Sequence, residues 1–97
     1  MIIYEITATV NPDLIDDYES YMIHRHIPDL IETGHFGSAD MSRSQPGRYR
    51  MRYAAKDDQA LENYLRNDAS RLREDFFRHF PEGVQVLREN WEVVKSW

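Results

Sequence analysis

Cysteine is absent from this 97-residue chain, lysine occurs only twice, and no apolar run approaches the roughly 20 residues that a membrane-spanning helix needs. Without thiols there is no disulfide framework, no thiolate nucleophile and no sulfur-ligated metal centre. The first ten residues lack the basic start and small-residue cleavage site of a secretory signal, so the chain is read as soluble and cytoplasmic, without a membrane partner. Acidic residues outnumber basic ones by 17 to 12, and the net charge of −5 opposes a phosphate backbone, which sets nucleic acid aside as a general partner. Ten of the twelve basic residues are arginine, whose planar fork suits paired or partly buried positions better than lysine does. The length fits one domain, residues 1–97, with a core small enough to leave apolar surface for self-association.

What is present is a sharp alternation of periods. IIYEITATV sets Ile2, Tyr4, Ile6, Ala8 and Val10 on one side of a strand and Ile3, Glu5, Thr7 and Thr9 on the other. Asn11-Pro12-Asp13 reads as a helix start, and Leu14, Ile15, Tyr18, Tyr21 and Met22 then fall on one helical face. Pro28 disfavours helical geometry at Ile27, so that helix is expected to stop or kink near His26, with a short second piece ending at Gly34. HFGSADMSR and RYRMRYAA read as strands around a QPG turn, the second with Tyr49, Met51, Tyr53 and Ala55 opposed to Arg48, Arg50 and Arg52. Asp57 or Asp58 caps a helix through Leu61, Tyr64 and Leu65. It recaps at Asn67-Asp68 and carries Ala69, Leu72, Phe76 and Phe80 on one stripe. VQVLRENWEVVK is a final strand.

The order β-α-β-β-α-β is the split βαβ pattern of an α+β, ferredoxin-like fold, with a four-stranded antiparallel sheet and both helical layers on one face. The other face is then expected to carry Ile3, Glu5, Thr7, Thr9, Arg50 and Arg52, with Asn90 and Glu92 beside them. That mixture is too apolar and too charged for a simply solvated face. Two copies meeting through it form a closed dimeric α/β barrel with a polar interior, so the expected partner is a second copy of the chain.

The segments MIIYEIT, YESYMIHRHIPDLIETGHF, RYRMRYAA, LENYLRNDASRLREDFFRHFP and ENWEVV together resemble an uncharacterised branch of the dimeric α/β-barrel superfamily, along almost the whole chain. The resemblance implies a barrel-forming homodimer. Better-characterised members of that superfamily include cofactor-independent monooxygenases, small-lactone isomerases, haem-handling enzymes and stress-response proteins, and the fold alone selects none of them. The triplet His26-Ile27-Pro28 is similar to the histidine and proline that follow the first helix in EthD-like proteins, which implies a place for His26 in a reactive pocket.

Three of the four histidines fall within HRHIPDLIETGHF. On a continuous helix His24 and His26 project about 200° apart and cannot share an ion, and no H-x-x-x-H spacing is present, so no metal site is expected. His26 lies near the edge of the buried helix face, where it serves either as a general base or as a packing residue that bonds a free carbonyl at the helix end. Arg50 and Arg52 either clamp a small anionic or polar ligand together with Glu5 and Asn90, or form internal ion pairs with Glu5, Asp40 and Glu92. Tyr4, Tyr49, Tyr53, Tyr64, Phe76 and Trp91 read as core, and no cofactor is implied. Two functions stay open at this point. One is a cofactor-independent enzyme, monooxygenase- or isomerase-like, acting on a small polar organic molecule with His26 as base. The other is a non-catalytic small-molecule-binding or assembly module.

Overall fold

A computed structural model describes residues 1–97. Strand β1 (Ile2–Val10) buries the even set selected by its alternation, Ile2, Tyr4, Ile6, Ala8 and Val10. A 3₁₀ turn at Pro12–Leu14 leads into α1 (Ile15–Tyr21). Asn11 makes no capping hydrogen bond with its side chain, so the start rests on Pro12, whose fixed φ and missing N–H suit a first turn.

The helix does not stop at His26. Met22–His26 forms a π turn, and α2 (Ile27–Glu32) continues from it with Ile27 at φ −65° and ψ −46°. Pro28 lacks an N–H and its ring crowds the carbonyl one turn back; the wider π turn relieves that crowding without breaking the helix. The local rule for the residue before proline is thus overridden by a change of helical pitch.

β2 (Ser38–Gln45) and β3 (Arg48–Ala55) form a hairpin closed at Pro46 and Gly47. Gly47 sits at φ +85°, and a Cβ there would lie 2.8 Å from the Val10 carbonyl oxygen, so glycine is required by both conformation and space. α3 (Asp58–Asn67) starts at Asp57, whose carboxylate accepts the Ala60 amide at 2.9 Å. α4 (Ala69–His79) follows the break at Asp68, and β4 (Val84–Glu92) ends the fold.

The sheet order is β2-β3-β1-β4, antiparallel throughout, which is the ferredoxin-like arrangement. All helices cover the face carrying the even residues of β1 and leave the other open. Between helices and sheet lies a core rich in tyrosine: Tyr18 and Tyr53 are fully buried with Leu30 and Met51, and Tyr4, Phe36, Tyr53 and Tyr64 pack ring against ring. Burial of Leu61 and Leu72, one from each helix, contributes about 1.5–3 kcal/mol per side chain. No helix is long and apolar enough to cross a membrane.

Candidate functional site

Register decides what the open face presents. Ile3 stands between Ala54 and Trp91, Glu5 between Arg52 and Glu89, Thr7 between Arg50 and Leu87, and Thr9 between Arg48 and Gln85. β2 adds Asp40 beside Arg52 and Ser42 beside Arg50. Leu87 is 76% exposed and Trp91 51% exposed, next to rows of charge.

Asn90 and Glu92 are not on this face. Asn90 lies opposite Tyr4 and Glu92 opposite Ile2, so both project to the helix side. The sequence VQVLRENWE keeps its apolar period only at Val84 and Val86, and from Leu87 onward the outward set carries the large residues. Trp91, expected in the core, is therefore on the open face, and Asn90 is parted from Glu5, Arg50 and Arg52, which the structure does bring together.

The charges on the open face are unequally satisfied. Arg52 reaches both oxygens of Asp40, at 3.4 and 3.3 Å. Glu5 accepts the Trp91 indole N–H at 3.0 Å, and its second oxygen lies 3.8 Å from Nε of Arg50, beyond hydrogen-bond distance. Around Glu5, Thr7, Ser42, Arg48 and Arg50 the face dips into a groove of about 610 Å³. Its rim on the β2 side is made by Arg43, Ser44 and Tyr49. β2 is irregular between Arg43 and Gln45, which takes Ser44 out of the ladder and opens that rim. Arg43 donates to Glu19 on α1 at 2.9 Å, and Tyr49 donates to the same oxygen at 2.5 Å. Those two donors hold the Glu19 carboxyl below its ordinary range, the Tyr49 hydroxyl first, while burial and the Glu19 contact push the Tyr49 phenol up to about 12.

His26 lies on the opposite side of the sheet. Its ring centroid is 5.7 Å from those of Tyr21 and Phe76, it is 8% exposed, and its buried Nδ1 has no partner. Burial lowers its pKa to about 4, with Arg88 adding to that effect and Asp29 and Asp75 opposing it, so the imidazole is neutral near pH 7. It bonds no helix-end carbonyl through Nδ1. The other histidines are dispersed: His24 is exposed, His35 pairs with Asp68 at 2.8 Å, and His79 Nδ1 lies 2.9 Å from the Asp75 carbonyl. No three His, Asp or Glu side chains are grouped to hold a metal ion.

A half-buried junction joins the helices. Asp75 accepts the Tyr21 hydroxyl at 2.7 Å and both donors of Arg25, at 3.0 and 2.7 Å, which holds its carboxyl below the usual range. Alternation selects Glu5 and Arg50, but the places of Arg48, Ser42 and Ser44 in the groove follow from strand register and the irregularity in β2, which leave no mark in the sequence.

The family model described as "Domain of unknown function (DUF4286)" matches residues 1–94. Among solved structures, a mutant form of SnoaB, a cofactor-independent oxygenase from Streptomyces nogalater, superposes with a TM-score of 0.73 at 10% identity, over 98% of this chain and 95% of that one. An ethyl tert-butyl ether D (EthD) family protein from Bacillus halodurans gives 0.69 at 11% identity, over 92% and 97%. A dimeric ferredoxin-like protein from an uncultured marine organism gives 0.65 at 15%, over 99% and 96%. At such identities the likeness is one of fold. No curated protein matches the chain.

Proposed function

This chain belongs to the DUF4286 family, and we propose that it works as a homodimeric α/β barrel that binds a small polar or anionic organic molecule against its open sheet face. The observation that carries this reading is the composition of that face: Leu87 and Trp91 need cover from water, while Arg48 and Arg50 lack hydrogen-bonded counter-ions. A second copy covers the first pair and leaves the second for a ligand. The dimeric form of the ferredoxin-like protein from the marine organism supports the same assembly. Sedimentation at micromolar concentration tests it: a dimer is expected, and a monomer sinks the barrel.

A second reading is favoured by His26. A desolvated, neutral imidazole without a partner on Nδ1 is available to take a proton, and the fold is shared with a protein described as a cofactor-independent oxygenase. Its lowered basicity and its separation from the arginine groove weigh against that role. Oxygen uptake in the presence of small phenols and organic acids decides it, and uptake that disappears in His26→Asn would establish the enzyme.

A further inference from the structure

The charge imbalance of the open face is confined to one end. Arg52 is taken by both oxygens of Asp40, whereas the groove wall presents Arg43, Arg48 and Arg50 against a single carboxylate, Glu5. Arg43 is committed to Glu19. Glu5 is held by Trp91 and stays 3.8 Å from Arg50, and Arg48 carries no ion pair. Two guanidinium forks therefore remain unsaturated.

Arg48 and Arg50 are two apart on β3, so they leave the same face with their Cα atoms about 6.5 Å apart along the strand. Each fork suits one bidentate carboxylate. Ser42 stands beside Arg50 on one side and Thr7 on the other, placing hydroxyl donors next to the fork. Glu5 repels an anion that approaches Arg50 from the β1 side and turns the remainder of the molecule toward Arg48. We propose that the groove takes a small organic dicarboxylate, one carboxylate on Arg50 and the other on Arg48. This rests on reading the open face as a binding wall. Two separated forks match two separated anionic centres better than the single compact centre of a phosphate.

Titration calorimetry of the full chain at low ionic strength tests this, with succinate, glutarate, acetate and inorganic phosphate as probes and sedimentation run on the same samples. The expected result is saturable binding of succinate or glutarate, one per chain, at least about 10-fold tighter than acetate or phosphate. It should weaken about 10-fold or more in either Arg48→Ala or Arg50→Ala and change less than about 3-fold in Arg52→Ala. Phosphate binding as tightly as the dicarboxylates overturns the assignment, as does the lack of saturable binding up to about 10 mM. Dissociation of the dimer by Arg48→Ala also overturns it, because the arginines then pair with a second copy. A dimer that binds no dicarboxylate removes this inference alone, while a monomer that does bind removes the barrel and leaves the groove.

Discussion

His26 and Arg50 stand on opposite faces of one sheet: the imidazole is packed between Tyr21 and Phe76 beneath the helices, and the guanidinium rises from the open side opposite Thr7. A base and an anion anchor acting on one molecule must both come within hydrogen-bond reach of it. Here the sheet separates them, so each residue has its own test.

For His26 the test is acid stability. Its folded-state pKa of about 4 lies below the ordinary 6.5, so the unfolded chain takes the proton first as pH falls. The stabilising contribution is complete above about pH 6.5 and is lost progressively down to about 4, to the extent of roughly 3 kcal/mol. Melting curves across that range should show the loss in the parent and a flatter profile in His26→Phe, which also removes an unpartnered buried nitrogen. A profile identical in both proteins would place the acid sensitivity elsewhere.

The junction at Asp75 separates a half-buried contact from an exposed one. Asp75→Ala leaves the Tyr21 hydroxyl without its acceptor and should cost about 1–2 kcal/mol in urea unfolding. Arg25→Ala removes a side chain that is 53% exposed and should cost less than about 0.5 kcal/mol. Equal losses would show that the ion pair, not the phenol, matters there.

Gly47→Ala meets two obstacles, a left-handed backbone and a carbonyl oxygen 2.8 Å from the new Cβ. A destabilisation on the order of 2 kcal/mol is expected, read as a lower denaturation midpoint with an unchanged slope.

Association has an internal control. Leu87→Asp puts a carboxylate into the face assigned to the second copy and should yield monomers in sedimentation, whereas Ile23→Asp, on an exposed helix position, should leave the dimer intact. Dimers in both variants would mean that the open face is not the contact.

The central strands were legible because burial on one face forces a two-residue period: Tyr4, Ile6, Tyr49, Met51 and Tyr53 can sit only on the helix side. β4 was not. It pairs with β1 alone, and from Leu87 to Glu92 both its faces are exposed, so no burial pattern disciplines Asn90 or Trp91. The sequence places His26 near the edge of the buried helix face and the structure buries it, but the π turn that carries the helix past Pro28 leaves no composition signal. Arg48 and Arg50 look alike in RYRMR. Only the approach of Asp40 to Arg52, and the bond that draws Glu5 toward Trp91, separates the arginine that is hydrogen-bonded to a carboxylate from the two that are not.

That bond between Trp91 and Glu5 also gives the molecule an optical reporter. The other tryptophan, Trp97, is at the chain end and fully in water, so a Trp97→Phe protein emits from a single indole on the open face. Covering that ring moves its emission toward the blue, and a charge arriving beside Glu5 alters its intensity. Dilution and titration can then be followed by fluorescence in a chain that offers no thiol for a dye.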